Sequence, residues 1–123
     1  MTILLVEDDE DLAEMYQLQL RHGGHRIKMA TDAQAALDVL DALAVDLIVL
    51  DILLPVHNGL SVLYELRSYP DWRQIPVIIL TSVASGEVKL TAVGLAKLGV
   101  AQYLDKAHTK PHQLLAAVEA IGQ

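Results

Sequence analysis

Four consecutive apolar residues, Leu47-Ile48-Val49-Leu50, run directly into an acid, Asp51, and this pattern limits what the chain can become. A strand with one wet face alternates apolar and polar residues, whereas a continuously apolar strand is covered on both faces and belongs to the interior of a parallel sheet. A second such run follows Pro76 and reaches Leu80, and a third spans Thr2 to Val6. Shorter β-prone runs lie at about His25 to Met29 and Gly99 to Leu104. With Asp46 to Leu50 as strand three, the chain reads as five strands.

Each strand is followed by a helical pattern. The first helix starts near Asp9, an N-cap residue, carries Leu12, Met15, Tyr16 and Leu20, and closes at Gly23-Gly24. Thr31 or Asp32 caps the second, whose apolar face uses Ala36, Leu37, Leu40 and Leu43. Asn58 caps the third, which carries Leu60, Leu63 and Leu66 and stops before Pro70. The fourth is expected over Ser85 to Leu98 and the fifth over Lys110 to Ile121, with Pro111 in its first turn. Strands alternating with helices, joined by right-handed crossovers, predict a doubly wound open α/β sheet in strand order 2-1-3-4-5. All 123 residues are read as one domain, with no repeat, no linker and no output domain in the chain.

Composition narrows the function. A net charge of −7 with nine Lys plus Arg argues against direct nucleic-acid binding, which needs clustered cations. There is no cysteine, so no disulfide or thiolate metal site. No apolar run approaches the roughly 20 residues of a membrane span, and no signal peptide is visible, so a cytoplasmic protein is expected.

The residues just beyond the strands are the informative ones: Glu7 and Asp8 after the first, Asp51 after the third, Thr81 and Ser82 after the fourth, Lys106 after the fifth. In the expected order, strands one, three, four and five are neighbours, so these side chains converge at the sheet's carboxyl edge, where such folds bind ligands. Two unit charges about 4 Å apart repel by roughly 4 kcal/mol at an effective dielectric near 20, so three carboxylates there call for a cation. Hard oxygen donors favour Mg²⁺, or Mn²⁺, with Lys106 as a second positive charge. A carboxylate beside such cations is a nucleophile for a phosphoryl group, and Thr81 is a donor to it. Taken singly, Glu7 to Asp11 is equally an acid-rich helix start, Asp51 a turn residue and Thr81 a cap.

The segments Ile3-Leu-Leu-Val-Glu-Asp-Asp9, Asp46-Leu-Ile-Val-Leu-Asp-Ile-Leu-Leu-Pro55 with Gly59, Val77-Ile-Ile-Leu-Thr-Ser82 and Gly99-Val-Ala-Gln-Tyr-Leu-Asp-Lys106 together resemble the receiver domains of bacterial response regulators, from Ile3 to about Ile121. The resemblance implies a flavodoxin-like (βα)5 three-layer sandwich, the fold for which the chemotaxis member of the family is a standard example. It implies Asp51 as phosphoacceptor, Asp8 as direct Mg²⁺ ligand, Glu7 as a ligand largely through water, and the backbone carbonyl of Leu53 as the remaining protein ligand. Thr81 resembles the switch hydroxyl, Lys106 the lysine that pairs with the acyl phosphate, and Tyr103 the aromatic that turns inward afterwards. Pro55 and Gly59 resemble the family's loop scaffold. The implied partners are a histidine kinase or phosphotransfer protein and a downstream protein met by the face of the fourth helix, fifth strand and fifth helix. Homodimerisation through that face is open. Such a domain is not an enzyme in the ordinary sense, since it acts on its own aspartate.

Three departures stand out. Ala107 follows Lys106 where the family usually has a cis proline, and a cis bond before a non-proline residue costs about 2.5 to 4 kcal/mol, so a trans bond and a rebuilt loop are expected. The interval from Thr81 to Lys106 is longer than in the family, which predicts a longer fourth helix or preceding loop. Leu53 and Val83 are apolar where polar groups speed dephosphorylation, so slow loss of the phosphoryl is expected. His57, His108 and His112 read as surface histidines, and Trp72 as a packed loop anchor. Among other functions, an aspartyl-phosphate phosphatase lacks a second acid at Leu53, and a flavodoxin-like cofactor binder would meet five consecutive acids after strand one. A phosphorylation-independent interaction module on the same fold is the alternative.

Overall fold

Buried β-branched and leucine runs form a parallel sheet, and the amphipathic segments between them form its covering helices. The computed structural model describes residues 1–54, 59–83 and 92–122. The elements are β1 (Thr2–Val6), α1 (Glu10–His22), β2 (Arg26–Ala30), α2 (Ala33–Ala42), β3 (Leu47–Leu50), α3 (Gly59–Ser68), β4 (Val77–Thr81), α4 (Ala92–Lys97), β5 (Val100–Asp105) and α5 (Pro111–Gly122). A single 3₁₀ turn, Lys106–His108, joins β5 to α5. The sheet order is β2-β1-β3-β4-β5 and every pairing is parallel, as expected of a doubly wound flavodoxin-like sandwich.

Side chains of the central strands alternate between two cores. Ile3, Leu5, Leu47, Val49, Ile78 and Leu80 pack with Tyr16 and Leu20 of α1 and Leu114 and Val118 of α5. Leu4, Val6, Ile48, Leu50, Val77 and Ile79 pack with Ala36 and Leu40 of α2 and Leu63 and Leu66 of α3. A fully buried aliphatic side chain contributes about 1.5 to 3 kcal/mol, so the two layers fix the sheet and, with it, the strand ends that carry the polar residues.

The helix starts follow their caps. Asp9 Oδ1 accepts the Asp11 and Leu12 amides, each at 3.1 Å, and Asp32 Oδ1 accepts the Ala35 amide at 2.8 Å, so Asp32 rather than Thr31 is the cap of α2. Gly24, at φ +87°, turns the chain out of α1 in the left-handed region that favours glycine.

Boundaries differ from the sequence expectation in consistent ways. Strands β2, β4 and β5 each start and end one residue later than expected, and at their ends Ala30, Thr81 and Asp105 continue the register with Val6, Asp105 and Thr81 respectively. Leu43 is not on the buried face of α2 but is its C-cap, 40% exposed, because the helix stops at Ala42. Asn58, Pro55 and His57 lie outside the described residues, as does the expected start of the fourth helix at Ser85; α4 as described begins at Ala92. Among the described residues no helix is long and apolar enough to cross a membrane.

Candidate functional site

The strand ladder carries the polar residues into register. The Glu7 amide donates to Ala30 O at 3.0 Å, extending β1 beside β2, and the Asp51 amide donates to Val6 O at 3.0 Å, extending β3 beside β1. These bonds set the two acids next to each other at the carboxyl edge. Glu7, Asp51 and Thr81 are the buried polar side chains among the described residues, with 3%, 3% and 0% exposure.

Asp51 is the most heavily engaged side chain of this cluster. Its Oδ1 accepts the Thr81 hydroxyl at 2.7 Å and the Leu53 amide at 2.8 Å, and its Oδ2 accepts Lys106 Nζ at 2.6 Å. Lys106 Nζ also pairs with Glu7 Oε1, and Glu7 Oε2 accepts the Asp9 amide at 3.3 Å. Asp8 is exposed beside them, and one carboxylate oxygen from each of Glu7, Asp8 and Asp51 falls within 4.8 Å of the others. The acidic run thus divides by position: Glu7 and Asp8 border the cluster, Asp9 caps α1, and Glu10 and Asp11 occupy its first turn, where the helix dipole favours them.

The electrostatics are those of an anion-rich pocket with one resident ammonium. Burial pushes the Glu7 carboxyl above the ordinary range against the pull of Lys106. Burial also disfavours the charged form of Lys106, but its hydrogen bonds and charge contacts with Asp51 and Glu7 outweigh that and hold its pKa above the usual lysine value. Three carboxylates against one ammonium leave an excess of negative charge. The hard oxygen donors fit a small divalent cation such as Mg²⁺.

A hydrogen-bonded path leads away from the cluster. Thr81 Oγ1 lies 3.4 Å from the Val83 amide, and the Tyr103 hydroxyl donates to Val83 O at 2.7 Å. Tyr103 is half-buried and packs against the α2/α3 core. On the other side of Asp51 the start of α3 approaches closely: the Gly59 amide donates to Ile52 O at 2.8 Å, and a Cβ on Gly59 would lie 2.5 Å from Asp51 O.

The structure therefore brings Glu7, Asp8, Asp51, Thr81 and Lys106 together. Leu53 is half-exposed and meets Asp51 through its amide. Thr81 is the last residue of β4 rather than the first beyond it. The Lys106–Ala107 bond is trans, as no described peptide bond is cis. Asp105, not singled out from sequence, holds the turn that follows β5; an aspartate with a non-proline residue two positions on is the signal the sequence offers. His108 and His112 are exposed, and Trp72 packs against the α2/α3 core, its ring 4.8 Å from that of Tyr69. A cavity of about 650 Å³ lies between α2 and α3 and contains none of the clustered residues.

The family model of the response regulator receiver domain matches residues 3–119. The chain belongs to this family. It is 38% identical over 119 residues to the transcriptional regulatory protein CpxR of Escherichia coli, covering 97% of this chain and 48% of CpxR. It is 34% identical over 120 residues to the sensory transduction protein RegX3 of Mycobacterium tuberculosis, covering 98% of this chain and 50% of RegX3. The chain spans about half the length of these curated relatives. Among solved structures, the receiver domain of the Francisella response regulator 1452 superposes with a TM-score of 0.83 at 28% identity, covering 98% of this chain and 94% of that one. The chemotaxis response regulator CheY4 of Vibrio cholerae shares the fold, with a TM-score of 0.84 at 24% identity and coverage of 98% and 97%.

Proposed function

We propose that this receiver domain is a phosphorylation-dependent signalling switch in which Asp51 takes a phosphoryl group from a histidine kinase or phosphotransfer protein. The observation that carries the reading is the Asp51 carboxylate itself: 3% exposed, hydrogen-bonded by Lys106 at 2.6 Å and Thr81 at 2.7 Å, with carboxylate oxygens of Glu7 and Asp8 close by.

In the transfer a carboxylate oxygen of Asp51 forms a bond to phosphorus as the P–N bond to the donor imidazole breaks, and the electron pair leaves with the imidazole nitrogen. Glu7, Asp8, Asp51 and the backbone carbonyl of Leu53 are the proposed protein ligands of Mg²⁺ or Mn²⁺. When bound, such an ion neutralises charge on the transferring oxygens. Lys106 supplies a fixed positive charge for the same oxygens, and Thr81 supplies a neutral donor. The domain acts on itself rather than turning over a separate substrate, and a cytoplasmic setting goes with that role.

Phosphorylation adds about −1.5 to −2 charge and three acceptor oxygens, which compete for Thr81 and Lys106. Because Thr81 connects through Val83 to Tyr103, a shift of the hydroxyl is felt in β5. The surface of α4, β5 and α5 is the proposed readout for a downstream protein.

The test is incubation with acetyl phosphate and Mg²⁺ followed by intact mass measurement. A gain of one phosphoryl that Asp51→Asn abolishes is expected. No gain, or an undiminished gain in Asp51→Asn, would sink the reading and leave a receiver-fold interaction module.

A further inference from the structure

We propose that Asp105 is a positioning residue for Lys106: its carboxylate folds the chain after β5 into the turn that aims the Lys106 ammonium at Asp51. The functional meaning of this inference rests on the phosphoacceptor reading above, while its geometric content does not.

Lys106 leaves the sheet where the chain has least to hold it. Asp105 is the last paired residue of β5, opposite Thr81, and α5 begins only at Pro111. The residue after Lys106 is alanine, which brings a backbone N–H and a free φ where proline would bring neither. That N–H needs a partner, and that φ needs fixing.

Asp105 supplies both. Its Oδ1 accepts the Ala107 amide at 2.9 Å, and its Oδ2 pairs with His108 Nδ1 at 3.2 Å. Its own backbone is extended, at φ −88° and ψ 123°, which is the geometry of an N-cap, and the next three residues form the 3₁₀ turn. A carboxylate bound to an amide two residues on is an Asx turn, a local structure that competes with continuation of a strand. Lys106 is the first residue of the turn so made, and its Nζ reaches Asp51 Oδ2 and Glu7 Oε1 from there.

The two contacts of Asp105 differ in weight. The His108 side chain is 83% exposed, so its pair with Asp105 is a surface interaction that contributes little. The Ala107 amide is the contact that bends the chain. Its influence is visible in the Asp105 carboxyl, which lies below the ordinary range mainly because the charged form accepts the Ala107 amide, with His108 adding to it.

The experiment compares the wild-type chain with Asp105→Ala and Asp105→Asn, the second keeping an acceptor oxygen for the amide. Two quantities are read. The first is the rate at which Lys106 is acetylated by an N-hydroxysuccinimide ester, followed by peptide mass spectrometry with Lys28 as the exposed internal reference. Asp105→Ala should acetylate Lys106 about fivefold faster than wild type, the scale of a lost cap, while Asp105→Asn stays within about twofold. The second is the rate of phosphoryl uptake from acetyl phosphate, measured with Lys106 intact and in a Lys106→Met background.

Asp105→Ala should slow uptake about fivefold with Lys106 present and change it less than about twofold in Lys106→Met, since a residue acting through Lys106 has nothing left to act on. Unchanged acetylation in Asp105→Ala overturns the inference. So does unchanged uptake with Lys106 intact, or a slowing that persists in Lys106→Met. If the wild-type chain takes up no phosphoryl, the functional reading has failed, and the acetylation rates alone decide whether Asp105 positions Lys106.

Discussion

The Thr81 hydroxyl donates to Asp51 Oδ1 over 2.7 Å, so the side chain expected to move on phosphorylation is already committed to the carboxylate of the unmodified residue. In the proposed switch this hydrogen bond passes from a carboxylate oxygen to a phosphoryl oxygen, with Val83 and Tyr103 following. Hydrogen bonds to charged groups contribute about 1.5 to 3 kcal/mol, and the Leu53 amide remains on Oδ1 when Thr81 is removed, so the lower end applies. Thr81→Ala should lower Tm by about 5 °C. It should also abolish the phosphorylation-induced shift of the Tyr103 amide in an NMR spectrum, and Thr81→Ser should restore it. A full Tyr103 response in Thr81→Ala would separate Thr81 from the switch.

Lys106 holds together carboxylates that would otherwise repel one another. Lys106→Met should destabilise the metal-free domain by on the order of 2 kcal/mol, below the 3 to 5 kcal/mol seen for fully buried pairs because the pocket opens to solvent. Saturating Mg²⁺ should recover most of that loss, since a ligand of the folded state stabilises it by mass action. Urea unfolding of both proteins with EDTA and with Mg²⁺ measures the difference. Equal destabilisation in the two conditions would argue against a shared cation pocket.

The pH dependence follows from the same contacts. The folded-state pKa of Lys106 is raised, burial being outweighed by Asp51 and Glu7, so folding favours its protonated form. The resulting stability is fully present below the ordinary lysine pKa of 10.5 and is lost as pH rises through the higher folded value. Wild type should therefore lose stability in that alkaline window by more than Lys106→Met does, and their difference should be flat from neutral pH up to it. A gap that closes near neutrality would mean that Lys106 is not held by the two carboxylates.

Gly59 allows the start of α3 to lie against the backbone of Asp51 and Ile52. An added methyl would sit 2.5 Å from Asp51 O and 2.7 Å from Ile52 Cα, and both are backbone atoms that cannot yield without moving the chain that carries Asp51. Gly59→Ala should cost about 1 to 3 kcal/mol, as other forced overpacking does, and should slow phosphoryl uptake at Asp51. Chemical denaturation and the acetyl phosphate reaction read the two effects separately. A variant with wild-type stability would show that the backbone around Gly59 relaxes freely.

Much of the architecture was legible because burial on both faces leaves a direct mark: Leu47 to Leu50 and Val77 to Leu80 are continuous apolar runs, and strand order follows from the crossovers. The convergence of Glu7, Asp8, Asp51, Thr81 and Lys106 was legible for the same reason, since each sits at a strand end. Exact endings were not. Thr81 and Asp105 extend β4 and β5 because they pair with each other across the ladder, a long-range fact that no local pattern carries. Leu43 looks like a core residue by helical spacing, but α2 ends before it, and its side chain remains 40% exposed. Asp105 carries no distinct signal, because an aspartate before a lysine has many readings and only the geometry of the Ala107 amide selects one.

The lifetime of the phosphorylated form should be set by what stands around Asp51. Hydrolysis needs a water molecule held in line with the acyl phosphate, and side chains able to hold it would project from the residues two beyond Asp51 and two beyond Thr81. These are Leu53, half-exposed, and Val83, half-buried, neither with a side-chain donor or acceptor. Their backbones are already engaged: the Leu53 amide with Asp51, the Val83 carbonyl with Tyr103. Phospho-Asp51 should accordingly persist for minutes or longer once the phosphodonor is removed. Leu53→Asn places a polar group at the exposed position without disturbing a buried contact, and should speed hydrolysis about tenfold, a modest share of what a positioned general base provides. Decay followed by intact mass after rapid desalting measures both rates. A wild-type half-life of only seconds would show that water is positioned by something other than these two side chains.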